Sequence, residues 1–179
     1  IFRWEGTLDK FIGDAILAFW GAPMRQENHA ELAMKCALNM INRLGDLQKK
    51  WKSEGKPILD AGIGINTGEV LVGNIGAEGK KMDYTVIGDH VNLGSRVESL
   101  TRKYNAYILI TEFAMNKVSK YIKNGSGSIG HISIKGIERV IVKGKEKTVE
   151  IYEVSSLEPG SESMVLKLEK EEVVTMKEK

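Results

Sequence analysis

The chain has 179 residues, with 26 Lys and Arg against 24 Asp and Glu, for a net charge of +2. That length suits one domain with a tail, and 42% hydrophobic with 28% charged residues excludes wholesale disorder. Balanced charge argues against a dedicated nucleic-acid binder, and no apolar run approaches the ~20 residues of a membrane span. Cys36 is the single cysteine, so no intrachain disulfide or thiol-rich zinc site forms and a reducing compartment is expected. The chain opens on Ile1-Phe2-Arg3-Trp4, which reads as strand, and a cut from a longer protein is expected.

Two strands are predicted over 7–12 and 15–20, around a Gly13-Asp14 turn that suits a tight hairpin. Asn28 is placed to cap a helix running to about residue 53. Its apolar stripe is Ala30, Ala33, Ala37, Met40, Ile41, Leu44 and Leu47. Short strands follow over 59–66 and 69–73, about Thr67-Gly68, then a polar loop over 77–81 and a strand over 83–87. Gly88-Asp89 introduces a second helix over 90–104, with Val91, Val97 and Leu100 as its apolar side. A strand over 107–110 and a short helix over 111–119 precede a glycine- and serine-rich loop at 123–128. Closing strands are expected at 131–137, 140–143 and 149–154. Residues 155–179 form a charged tail or linker, leaving 1–154 as the domain. Irregular alternation with two hairpins predicts an α+β fold with a mixed, largely antiparallel sheet.

Several residues could carry chemistry. Asp14 is read two ways, as a turn former or as a Mg²⁺ ligand on a rigid turn beside Gly13. Lys10 is the one other charge in residues 10–20, and it needs an acceptor if its face is covered. Asn92 and Arg96, four apart, share a helix face. An arginine there either steadies phosphoryl charge, with help from the helix N-terminus, or pairs with a surface acid. The basic tip at 142–147 is a solvated turn or a phosphate clamp. His29, His90 and His131 lack ligand spacing, so no His-based zinc site is expected. Gly62-Ile63-Gly64-Ile65-Asn66-Thr67-Gly68 lacks the Lys-Ser/Thr ending of a Walker P-loop. Trp4, Trp20 and Trp51 read as packing residues.

Taken in order, these segments resemble class III nucleotidyl cyclases over roughly residues 1–154. Residues 6–21, Gly-Thr-Leu-Asp-Lys-Phe-Ile-Gly-Asp-Ala-Ile-Leu-Ala-Phe-Trp-Gly, look like the family's substrate-and-metal hairpin. Residues 62–70 with Gly73-Asn74-Ile75-Gly76 resemble its next landmark. Residues 83–98 resemble its helix-entry motif, and Val142-Lys143-Gly144-Lys145 its phosphate-binding hairpin. The resemblance implies a ferredoxin-like class III cyclase fold whose first β-α unit is missing, since this chain starts too late.

The resemblance also implies roles. Asp14 matches the second of two metal-binding aspartates, and the first lies upstream of this chain, so impaired activity is expected of the chain alone. Lys10 and Thr85 match the purine-reading pair, an adenine-type combination, with threonine at the second position as in the bicarbonate-responsive subgroup. Asn92 and Arg96 match the pair that positions the ribose and stabilises the α-phosphate, and Lys143 the lysine on the terminal phosphates. His90 and Gly94 replace the commoner Thr and Ala of the helix-entry motif.

The activity implied is conversion of ATP to 3′,5′-cyclic AMP and pyrophosphate with two Mg²⁺ or Mn²⁺ ions. The sites are expected at the interface of a head-to-tail homodimer. A cytoplasmic location, or the cytosolic part of a membrane-tethered protein, is expected. The competing expectations are a degenerate cyclase-homology domain that binds nucleotide and regulates an attached module, and a plain protein-interaction domain. A diguanylate cyclase relative is disfavoured because no Gly-Gly-Asp/Glu-Glu-Phe run occurs.

Overall fold

The computed structural model describes residues 1–77, 80–123, 132–141, 148–156 and 173–175. The basic tip with Lys143, His131, and most of the segments 123–128 and 155–179 lie outside these residues. Phe2–Trp4 form a single 3₁₀ turn rather than the expected strand, ending at Glu5 with a left-handed φ of 56°. The turn folds over Trp20, whose indole N–H donates to the Trp4 carbonyl at 2.7 Å.

β1 (Thr7–Ile12) and β2 (Ala15–Phe19) make the expected hairpin. Gly13 supplies its left-handed turn with φ +63°. The pairing slips once, between Leu8 and Lys10, leaving a bulge at Asp9. α1 (His29–Ser53) follows as predicted, although the Asn28 side chain caps nothing; its carbonyl receives the Leu32 N–H at 3.0 Å. The first half of the apolar stripe is buried through Ala30, Ala33 and Ala37, joined by Met34 and Leu38. Met40 and Leu47 stay 41% and 43% exposed. They border an open cleft rather than a packed neighbour.

The strands expected about Thr67-Gly68 do not form one unit. β3 (Ile63–Ile65) runs parallel to β6 (Ile108–Thr111), whereas β4 (Leu71–Ala77) pairs antiparallel with β5 (Lys81–Ile87). The cause is α2 (Asp89–Tyr104), which lies against β3 and the turn after it. A Cβ at Gly64 would stand 2.3 Å from the Glu98 nitrogen and 2.6 Å from the Gly94 carbonyl oxygen. One at Gly68 would meet the His90 ring at 2.2 Å. The glycine-rich stretch is therefore a docking face that lets a helix backbone approach a strand. Gly64→Ala forces two backbones apart and is expected to cost about 1–3 kcal/mol, read as a lower midpoint in chemical denaturation.

α3 (Glu112–Lys123) runs longer than expected. β7 (Ile132–Ile141) merges two expected strands across a bulge between Gly136 and Glu138. β8 (Thr148–Ser156) pairs with both β6 and β7, and β9 (Val173–Thr175) lies parallel to β7. The five-stranded order is β3-β6-β8-β7-β9. Helices cover both faces. Ile108 and Ile110 pack with Met34 and Leu38 of α1 and Val118 of α3, while Leu109 packs with Leu93, Val97 and Leu100 of α2. That alternation is the period of a strand buried on both sides, and β6 is buried throughout. The architecture is α+β with mostly antiparallel pairing among the described residues, as the sequence predicts.

Candidate active site

Among the described residues β2 pairs only with β1, and β3 only with β6. Each therefore leaves one edge of backbone N–H and C=O groups without a ladder partner. A cleft of about 1720 Å³ lies beside both edges, walled by β2, β3, α1 and the start of α2. Asp14, at the exposed tip of the β1–β2 hairpin, and Asn92, in the first turns of α2, both line it. Residues 78 apart in the chain thus line one large cleft. Arg96 is half-buried one turn further along α2.

Asp14 is the candidate metal ligand, and its fit can be tested on the donors present. No group of three or more His, Cys, Asp or Glu gathers among the described residues. Mg²⁺ is usually held by one or two carboxylates, with phosphate and water oxygens completing its shell. A single carboxylate on a rigid turn beside an open cleft fits that donor set, so Asp14 fits one protein ligand of a nucleotide-bound cation.

Lys10 and Thr85 meet through a third residue. Thr85 on β5 is 6% exposed and donates its hydroxyl to Asp9 Oδ2 at 2.6 Å. Lys10 Nζ stands 3.5 Å from Asp9 Oδ1, with the Lys10 side chain 41% exposed. Asp9 is thus the carboxylate beside a lysine that remains part-exposed. Lys143 lies outside the described residues, so its position relative to this cluster is not described.

The helix-entry histidine is held by packing and polar contacts. Asn66 Nδ2 donates to the His90 carbonyl at 2.8 Å and lies 3.1 Å from His90 Nδ1. Its Oδ1 accepts from Thr111 Oγ1 at 2.7 Å. Thr111 is fully buried and also accepts the Ala114 N–H at the start of α3. The His90 ring meets Phe113 edge-on, centroids 5.5 Å apart. This network ties the first turn of α2, and so Asn92, to the end of β3 and the start of α3. Sequence reasoning missed Asp9, Asn66 and Thr111. No periodic signal marks them, since each makes a side-chain hydrogen bond across at least 24 residues of chain.

No helix among the described residues is long and apolar enough to cross a membrane. A family model described as the adenylate and guanylate cyclase catalytic domain matches residues 9–156. The terminal-differentiation-specific adenylate cyclase of Dictyostelium discoideum is 39% identical over 150 residues, covering 83% of this chain and 6% of that protein. The adenylyl cyclase CyaB of P. aeruginosa superposes with a TM-score of 0.73 and 30% identity, covering 90% of this chain and 77% of that one. The guanylyl cyclase Cya2 does so with a TM-score of 0.68 and 33% identity, covering 89% and 74%. The chain spans 6%, 21% and 28% of the lengths of three curated adenylate cyclase relatives. The likeness therefore runs through the hairpin that carries Asp14, the glycine face and the helix entry, in proteins of both purine types. On that shared span and shared fold, this chain belongs to the adenylate and guanylate cyclase catalytic domain family.

Proposed function

We propose that this domain converts ATP to 3′,5′-cyclic AMP and pyrophosphate. The observation that supports this best is that Lys10 and Thr85 meet on the one buried carboxylate of Asp9 in a chain of the cyclase family. Ring closure needs the 3′-hydroxyl held in line with the α-phosphorus while pyrophosphate leaves. Positioning and charge stabilisation dominate such a reaction. Asn92 positions the ribose, Arg96 stabilises charge on the α-phosphate, and Lys143 holds the terminal phosphates. Lys10 donates to adenine N1 and Thr85 completes the reading of that edge. Asp14 would be one of the residues that hold the divalent cations. Two Mg²⁺ or Mn²⁺ ions, when bound, supply charge neutralisation and acidify the attacking hydroxyl.

The catalytic domain is read as residues 1–154, with 155–179 as a tail. A second aspartate, on the β-α unit that the resemblance puts before the hairpin, completes the site. The cleft between β2 and β3 suits that unit. It offers two open strand edges and the apolar Met40, Leu44 and Leu47 of α1. A head-to-tail homodimer then brings Asp14 of one copy to Lys10, Thr85, Asn92, Arg96 and Lys143 of the other, two equivalent sites per dimer.

The test is cyclic AMP formation from ATP with Mg²⁺ or Mn²⁺, on this chain and on a version extended upstream. Turnover by the extended version alone is the expected result. Asp14→Asn in that version is expected to lower kcat by roughly 10²-fold, about 2.7 kcal/mol of lost charge stabilisation. Binding of an ATP analogue without turnover in either version overturns the catalytic reading in favour of a regulatory, degenerate cyclase domain.

A further inference from the structure

Asp9 occupies an unusual position. In the β1–β2 hairpin Leu8 pairs with Ala18 and Lys10 with Leu17, so Asp9 is the residue the bulge leaves without a partner. In a regular strand its side chain would alternate away from both neighbours. The bulge re-aims it. Its side chain is 1% exposed and reaches β5, where Oδ2 takes the Thr85 hydroxyl hydrogen at 2.6 Å. Oδ1 is equally buried and has no hydrogen-bond partner among the described residues, with the Lys10 ammonium 3.5 Å away. Buried carboxylate oxygens are ordinarily satisfied. One carboxylate here stands between two side chains, its second oxygen beside the one cation paired with it among the described residues.

The chemistry of threonine gives that arrangement a meaning. A hydroxyl is one donor and two acceptor lone pairs, and its hydrogen turns to suit its partner. A threonine with a freely turning hydroxyl accepts from an amino group or donates to a carbonyl equally well, so it does not distinguish adenine from guanine. An ionised carboxylate only accepts. Once Asp9 holds the Thr85 hydrogen, Thr85 has only lone pairs left to offer a base.

We propose that Asp9 is the positioning residue that sets purine selectivity: it locks the Thr85 hydroxyl as an acceptor and anchors the Lys10 ammonium beside it as a donor. The pair then presents acceptor and donor together. That matches the 6-amino group and N1 of adenine. It opposes the 6-oxo group and N1–H of guanine, lone pair to lone pair and hydrogen to hydrogen. Asp9 itself, 1% exposed, stays out of reach of the base and acts through its two neighbours. The proposal rests on the reading of Lys10 and Thr85 as the purine-contacting pair.

The experiment measures dissociation constants for ATP and GTP with Mn²⁺, by competition against a fluorescent nucleotide analogue, on the protein at the length its gene encodes. Asp9→Asn keeps the shape of the side chain but adds an amide donor, which releases the Thr85 hydrogen. The expected result is a roughly tenfold fall in the ATP-over-GTP preference, restored by Asp9→Glu where the longer carboxylate regains the bond. Adding Asp9→Asn to Thr85→Val is expected to change the ratio less than Asp9→Asn does alone, because no hydroxyl is left to orient and only the Lys10 anchor is lost. Asp9→Ser, smaller and neutral, carries the same expectation should the Asn variant fail to fold, with circular dichroism as the check. An unchanged ratio in a folded Asp9 variant, with both nucleotides weakened alike or only the thermal midpoint lowered, overturns the proposal and leaves Asp9 a structural link. If Lys10→Glu and Thr85→Val also leave the ratio unchanged, or no nucleotide binds, the purine-reading assignment itself falls and takes this proposal with it.

Discussion

Lys10→Glu combined with Thr85→Cys is expected to turn the preference of the domain from ATP toward GTP. On the proposed reading, the pair exchanges the groups that meet the purine edge. A carboxylate in place of the ammonium accepts the N1–H of guanine, and a thiol removes the hydroxyl lone pairs that oppose its 6-oxo group. Sites that hydrogen-bond a substrate group reject analogues lacking it by about 10⁴-fold or more, so the ratio of kcat/KM values for the two nucleotides is expected to change on that order. The local geometry adds a cost. Lys10 now stands 3.5 Å from the buried carboxylate of Asp9, so the new carboxylate is repelled where the ammonium was attracted. The double variant is therefore expected to be slower on GTP than the parent on ATP, and Asp9→Asn in the same background to recover part of that loss. Steady-state assays with both nucleotides decide this. An unchanged ATP preference means that Lys10 and Thr85 do not read the base.

Arg96→Ala is expected to lower kcat by roughly 10³-fold with little change in KM, in the range seen when an arginine that stabilises phosphoryl charge is removed. The argument is differential binding. Negative charge builds on the α-phosphate only as the ring closes, so a guanidinium aimed there strengthens its contact in the transition state. Arg96 is half-buried on α2, one turn beyond Asn92, and the helix N-terminus adds its own positive end. Steady-state kinetics with an independent ATP-analogue affinity separate the two contributions. A loss confined to affinity would make Arg96 a binding residue without a share in the chemistry.

Much of the local structure was legible in the residues themselves. The Gly13-Asp14 hairpin, the long helix after Asn28 and the helix entered at Gly88-Asp89 all form within a residue or so of their expected bounds. Each is a local signal: a turn that needs a positive φ, or an apolar side at helical spacing. The apolar stripe of α1 was legible as a pattern but misleading as burial, since Met40 and Leu47 face a cleft. The pairing of β4 with β5 rather than with the strand before Thr67 was not legible. It depends on α2 settling onto Gly64 and Gly68, a contact between segments that only the fold brings together.

The candidate site divides along the same line. The sequence by itself determined the family resemblance, the hairpin with Asp14 at its tip, and Asn92 and Arg96 on one helix face, because turn chemistry and helical period act over a few residues. Only the tertiary structure decided that Asp14 and Asn92 open onto one cleft, that two strand edges flank it, and that Asp9 joins Lys10 to Thr85. The physical reason is range. A bulge at Asp9 redirects one side chain against the alternation of its strand, toward a hydroxyl 76 residues further along the chain. No period within the sequence encodes a hydrogen bond between two strands of different sheets.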